Sequence, residues 1–144
     1  MRMRLRDTGA VAMSERNVEA VKRIFTAWQR GDFTSTDWAD PEIEFSVPGP
    51  EPAEHGIEAM GRAWANWLRA FKGFKVEALA YHEAGDKVVV EQVFRGEGRG
   101  SGISLEEISG AATLTLRDGK VIRFTGHTSI EAALADAGIT GTEG

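Results

Sequence analysis

Two stretches decide the fold: Ala84-Gly85-Asp86-Lys87-Val88-Val89-Val90 and Leu116-Arg117-Asp118-Gly119-Lys120-Val121. In each, a Gly-Asp or Asp-Gly pair separates runs of strand composition, the signal of a tight β-hairpin. Working outward, Phe74 to about Glu83 and Lys87 to Arg95 make one strand pair, and Leu105 to Arg117 and Lys120 to Ser129 make a second. The glycine-rich run Gly96 to Gly102 lies between them. It has neither the G-x-G-x-x-G spacing nor a following Lys-Ser/Thr, and it joins strand to strand, so it reads as a twisted hairpin tip rather than a phosphate loop.

The first half has a different period. Ser14 is a good N-cap, and Val18, Val21, Ile24, Phe25 and Trp28 recur at helical spacing until Gly31. Asp40-Pro41 introduces a short strand, Glu42 to Val47, with Glu44 and Ser46 on one face and Ile43, Phe45 and Val47 on the other. All four prolines lie between Pro41 and Pro52, which predicts a stiff loop over Pro48 to Pro52. A second helix carries Ile57, Met60, Trp64, Trp67, Leu68 and Phe71 on one stripe and is expected to stop at Gly73. Ile130 to Ala137 reads as a short closing helix stopped by Gly138.

At 144 residues the chain matches one domain, expected over residues 13–139. Residues 1–12 read as a disordered extension and 140–144 as a frayed tail. An apolar share of 42%, with a mean hydropathy of −0.27, leaves no spanning segment, so no membrane is expected as a partner. A net charge of −5 offers no general basic field for nucleic acid. The absence of cysteine removes disulfides, thiolate catalysis and Cys-type zinc sites, and is compatible with a cytoplasmic location.

His55, His82 and His127 lack metal-binding spacing, and no nucleotide fingerprint occurs, so neither metal nor cofactor is expected. Two strand carboxylates with apolar neighbours, Glu44 and Glu91, are the candidate general acid or base, because desolvation raises a carboxyl pKa toward neutrality. Alternation alone leaves Glu91 facing either the interior or solvent.

The order of Trp28-Gln29-Arg30-Gly31-Asp32, Asp40-Pro41-Glu42-Ile43-Glu44-Phe45, Gly56-Ile57-Glu58-Ala59-Met60 and the two hairpin stretches resembles the SnoaL-like branch of the nuclear transport factor 2-like superfamily, over about Ser14 to Ile139. The resemblance implies an α+β fold: a cone of strongly curved, mostly antiparallel mixed sheet and N-terminal helices around an apolar cavity, often dimeric through the outer sheet face. Ketosteroid isomerases, epoxide hydrolases, polyketide cyclases and non-catalytic binders share that fold, so fold does not decide activity.

Carried over by position, the isomerase base falls near Ser46, its tyrosine near Ile24 and its protonated aspartic acid near Ala112. The epoxide hydrolase and cyclase aspartate falls near Gly126, and their central-strand pair near Glu91 and Val93. Only Glu91 among these is ionisable. The register so implied turns Glu44, Ser46, Val89, Glu91, Val93, Ala112, Leu114, Ile122, Phe124 and Gly126 inward, with Ile24, Trp28, Trp64 and Leu68 closing from the helices and His55 near the mouth.

The expected ligand is a small apolar, polyketide-, terpenoid- or steroid-like molecule. Glu91 and Glu44 are the expected catalytic pair of a cofactor-free isomerase, cyclase or hydrolase. The rivals are a non-catalytic binder of a hydrophobic molecule and a dimerising interaction domain. A homodimer is expected in either pocket reading.

Overall fold

The computed structural model describes residues 3–33, 35–47, 52–98 and 104–139, with side chains described at 15–33, 35–47, 52–98 and 109–139. The elements run α1 (Met3–Gln29), β1 (Ala39–Ser46), β2 (Glu54–His55), α2 (Ile57–Ala70), β3 (Phe71–Ala84), β4 (Lys87–Gly98), β5 (Ser104–Arg117), β6 (Lys120–His127) and α3 (Ile130–Asp136). The strands form one sheet in the order β2-β1-β6-β5-β4-β3, curled but not closed. All neighbours are antiparallel except β1 and β6, which run parallel.

Both hairpins form where Gly85-Asp86 and Asp118-Gly119 predict them. Asp118 and Gly119 both take positive φ, 54° and 78°, as the two-residue turn that matches strand twist requires. Gly73 is different from expectation. The second helix ends at Ala70 and the chain enters β3 at Phe71, so Gly73, at φ 67°, sits inside a strand. The β3–β4 register shifts between Lys72 and Lys75, which makes Gly73 part of a bulge rather than a helix cap.

The first helix is longer than its expected start at Ser14. α1 begins at Met3, so Ser14 lies within it rather than capping it. No proline interrupts residues 3–29, and alanine, methionine, leucine and arginine supply most of the upstream turns with good helix formers. The expected Pro48 to Pro52 loop falls mostly outside the described residues.

The apolar stripe of α1 lies across the concave face of the sheet. Val21, Ile24, Phe25 and Trp28 pack with Val88, Val90, Leu114, Leu116, Val121 and Phe124 in one buried cluster. Asn17 anchors the same helix to the β3–β4 turn, its Nδ2 donating to the Gly85 carbonyl at 3.4 Å. Fully burying a side chain such as Phe25 stabilises by about 1.5–3 kcal/mol.

The convex face is covered in part by α3. Ala133, Ile130 and Leu134 pack on Val89 and Ala111, and Thr113 Oγ1 donates to the Ala133 carbonyl at 3.1 Å. Ser129 caps this helix by accepting from the Ala132 amide, and Gly138, at φ 79°, ends it. Val88, Val89 and Val90 are therefore all buried, because helices cover both faces of β4.

Candidate functional site

Residues directly opposed on neighbouring strands point to the same side of a sheet, so the ladder itself assigns the concave face. Val88 pairs with Leu114, Val90 with Ala112 and Gln92 with Gly110. Leu114 in turn pairs with Phe124, Ala112 with Gly126, and Phe45 with Phe124. Since Val88, Val90, Leu114 and Phe124 pack against α1, the whole set of these rows faces inward.

Between that face and α2 lies a cavity of about 340 Å³. Its wall is aromatic: Trp28 from α1, Phe45 from β1, Trp64 and Trp67 from α2, and Phe74, Phe94 and Phe124 from the sheet. The rings support one another. Trp28 and Trp64 have centroids 5.0 Å apart, Phe45 and Phe124 stack at 5.1 Å, and Phe74 and Phe94 stack at 5.9 Å. Such surfaces suit a flat ring, which gains both area burial and ring–ring contact. Val47 and Trp67 line the cavity yet remain well exposed, which marks the mouth.

The polar groups of the wall are few. Gln92 from β4 is 4% exposed, and its Oε1 has no hydrogen-bond partner among the described residues. Trp64 Nε1 is enclosed in the same condition. Ser109 and Thr128 stand at the edge. His127 borders the cavity at the end of β6, but its row, Glu91–Ala111–His127, belongs to the convex face. There its Nε2 lies 3.2 Å from Asp136 Oδ2 of α3, so this pair latches the helix. Among the described residues no Asp, Glu, Lys or Arg lines the cavity.

Of the expected ligand-binding residues, Trp28, Trp64, Phe124 and Gly126 line the cavity. Ile24, Leu68, Ala112 and Leu114 belong to the packed core around it. The others require correction by one residue of register. Glu44 faces outward with its Oε2 3.6 Å from Arg123 Nε, while Phe45 and Val47 turn in. Ser46 shares the outward row of Thr125, Thr113 and Val89. Glu91 also faces outward, its Oε2 2.9 Å from His82 Nε2, and Val93 sits two residues on along that same face. His55 is exposed on β2, opposite Glu44.

Glu44 and Glu91 are thus neither together nor at the cavity. Their side chains are 39% and 37% exposed, and each lies beside a basic partner on the outer face of the sheet, Arg123 and His82. The three histidines are likewise dispersed, and no group of three His, Asp or Glu that could hold a metal occurs among the described residues. Sequence reasoning passed over Gln92, whose signal is a polar residue in step with Val88, Val90 and Phe94.

A second crevice, about 300 Å³, lies between α1, the turn that follows it and the β5–β6 hairpin. It is charged, with Arg23, Asp32, Asp37 and Lys120 on its wall, and Lys120 Nζ donates to the Asp37 carbonyl. Burial against Phe25 lifts the Tyr81 phenol above its usual range. No helix among the described residues is long and apolar enough to cross a membrane.

This architecture agrees with the outcome of comparison with known proteins. The chain belongs to the SnoaL-like domain family, whose sequence model matches residues 21–124. Among solved structures it is similar to a candidate SnoaL-like polyketide cyclase from Jannaschia sp. CCS1, at 25% identity and a TM-score of 0.71, over 85% of this chain and 92% of that one. It is also similar to Bal32a from a soil-derived mobile gene cassette, at 23% identity and a TM-score of 0.71, over 80% and 90% of the two chains. TerC, crystallised with polyporic acid, is 19% identical with a TM-score of 0.69, over 85% and 98%. No curated protein matches the chain.

Proposed function

We propose that this domain binds one small, flat, mainly apolar molecule in the cavity between α2 and the concave sheet face. One observation carries the reading: a cavity of about 340 Å³ whose wall includes Trp28, Phe45, Trp64, Phe74, Phe94 and Phe124. That volume falls within the usual range for small-molecule sites, and such a wall binds by burial and stacking. The test is mass spectrometry of the purified protein under native and denaturing conditions, with thermal shift against ring compounds. A retained or stabilising ring compound supports the reading, and a protein unmoved by naphthalene-, anthracene- and steroid-sized compounds contradicts it.

A second reading, that the bound molecule is cyclised or isomerised without a cofactor, is favoured by the likeness to the candidate SnoaL-like polyketide cyclase. Because the described wall has no carboxylate, the rate gain would come from holding a chain folded for ring closure, where orientation alone contributes several kcal/mol. The part of the convex face that α3 leaves open, around the Glu44–Arg123 and His82–Glu91 pairs, is the surface proposed for a homodimer. A cytoplasmic location is proposed from the cysteine-free composition.

A further inference from the structure

One row on the concave face of the sheet shrinks from large to small side chains. Val90 pairs with Ala112, and Ala112 with Gly126, so the three positions point to the same side. Val90 and Ala112 are fully buried in the core cluster, whereas Gly126 is only partly buried and lines the cavity. The row thus leaves the packed core and enters the cavity at a residue without a side chain.

Glycine inside a strand weakens it, and it stands where the backbone bends or where another group comes close. A Cβ on Gly96 would lie 3.3 Å from Phe74 Cα, and one on Gly110 would lie 3.2 Å from the His127 carbonyl oxygen. Packing within the fold therefore accounts for those two. The backbone of Gly126 stays out of the positive-φ region, and its ladder with β5 runs without a shift from Ala111–His127 to Thr115–Arg123. No turn or bulge calls for glycine there, and what the position faces is the cavity. A cavity of about 150 Å³ takes a single benzene ring. This one, at about 340 Å³, is more than twice that size.

We propose that Gly126 is a size-determining position: by leaving β6 bare, it lets the cavity take a fused ring system, one ring of which lies against the strand backbone there. This rests on the cavity being the ligand site. A side chain at position 126 would project from the concave face into the place of that ring, and a single ring held by Trp28, Trp64 and Phe124 would keep its room. The aromatic residues supply affinity, whereas Gly126 supplies choice among ligands of different width.

The test titrates the protein by calorimetry with one fused-ring and one single-ring probe, 2-methylnaphthalene and ethylbenzene. Gly126→Val should weaken 2-methylnaphthalene binding about tenfold and ethylbenzene binding by no more than about twofold, and Gly126→Ala should weaken the first about threefold. Thr125→Val, one residue away on the convex row of Thr113 and Ser46, should leave both affinities within about twofold of wild type. Without ligand, both Gly126 variants should unfold at a temperature no lower than the wild type, since glycine is the weakest strand former of the three residues and the new side chains enter empty space. Unchanged 2-methylnaphthalene affinity in Gly126→Val, an equal loss for both probes, or a wild type that prefers ethylbenzene overturns the size assignment and leaves the cavity reading intact. A clear fall in the unfolding midpoint of ligand-free Gly126→Ala overturns it too, because the fold itself would then fill the position. If the wild type binds neither probe, the cavity reading falls and takes this proposal with it. Gly126→Ala decides the matter where Gly126→Val fails to fold.

Discussion

Gln92 stands directly across the β4–β5 ladder from Gly110, so the polar residue on the inner row of β4 meets no side chain from its neighbour on that side. Its Oε1 is enclosed without a partner among the described residues, in a residue that lines a wall rich in aromatic rings.

Gln92→Leu is expected to stabilise the empty protein by about 1 kcal/mol, because the substitution removes an unpaired polar atom and keeps a side chain of similar volume. The midpoint of thermal unfolding should rise by a few degrees, about 2–8 °C for a domain of this size. A clear fall in the midpoint would mean that the amide is satisfied in the native state.

Phe25→Ala should cost about 3–5 kcal/mol, because the ring is fully buried and meets Trp28 at 4.7 Å and Tyr81 at 6.4 Å. Leu79, 59% exposed on β3, is the control: Leu79→Ala should change stability by no more than about 0.5 kcal/mol. Urea unfolding of the two variants checks the contrast between cavity formation and surface truncation.

Glu91→Gln should leave ligand affinity unchanged and alter stability by less than about 1 kcal/mol, since the Glu91–His82 pair is a partly exposed contact on the convex face. Calorimetry with 2-methylnaphthalene reads the first point. An affinity lost with the substitution would return Glu91 to the site.

Tyr81 should give the protein an alkaline sensitivity. Its phenol pKa is raised in the folded state by burial, so the folded protein holds this proton in a pH range where the unfolded chain has released it. Stability should therefore be intact below about pH 10 and fall as the pH climbs past the unfolded value. Tyr81→Phe should flatten that part of a stability profile measured by denaturant unfolding. An unchanged slope contradicts the assignment.

The elements were legible in the sequence because turn chemistry is local. Gly85-Asp86, Asp118-Gly119, Gly31 and Gly138 each act where they stand, and the hairpins and helix ends follow from them. Facing was harder, since it depends on what covers each side of a strand. In β1 the apolar row Ile43, Phe45 and Val47 does face inward, and the outward place of Glu44 and Ser46 accords with plain alternation, whereas the register implied by the family resemblance turns them in. In β4 no such guide existed, because α3 buries Val89 on one side while α1 buries Val88 and Val90 on the other. Bulges at Lys72–Lys75 and Ala78–Ala80 in β3 further separate sequence parity from facing. Trp28, Trp64, Phe124 and Gly126 line the cavity, whereas Glu44 and Glu91 lie one residue of register away, on the outer face.

The central claim is that the aromatic cavity beneath α2 is the ligand site. A crystal structure of the protein grown with 2-methylnaphthalene tests it most directly. The account predicts the ring lying among Trp28, Phe45, Trp64 and Phe124. A ring bound instead on the convex face, beside the Glu44–Arg123 or His82–Glu91 pairs, with the aromatic cavity empty, would contradict it.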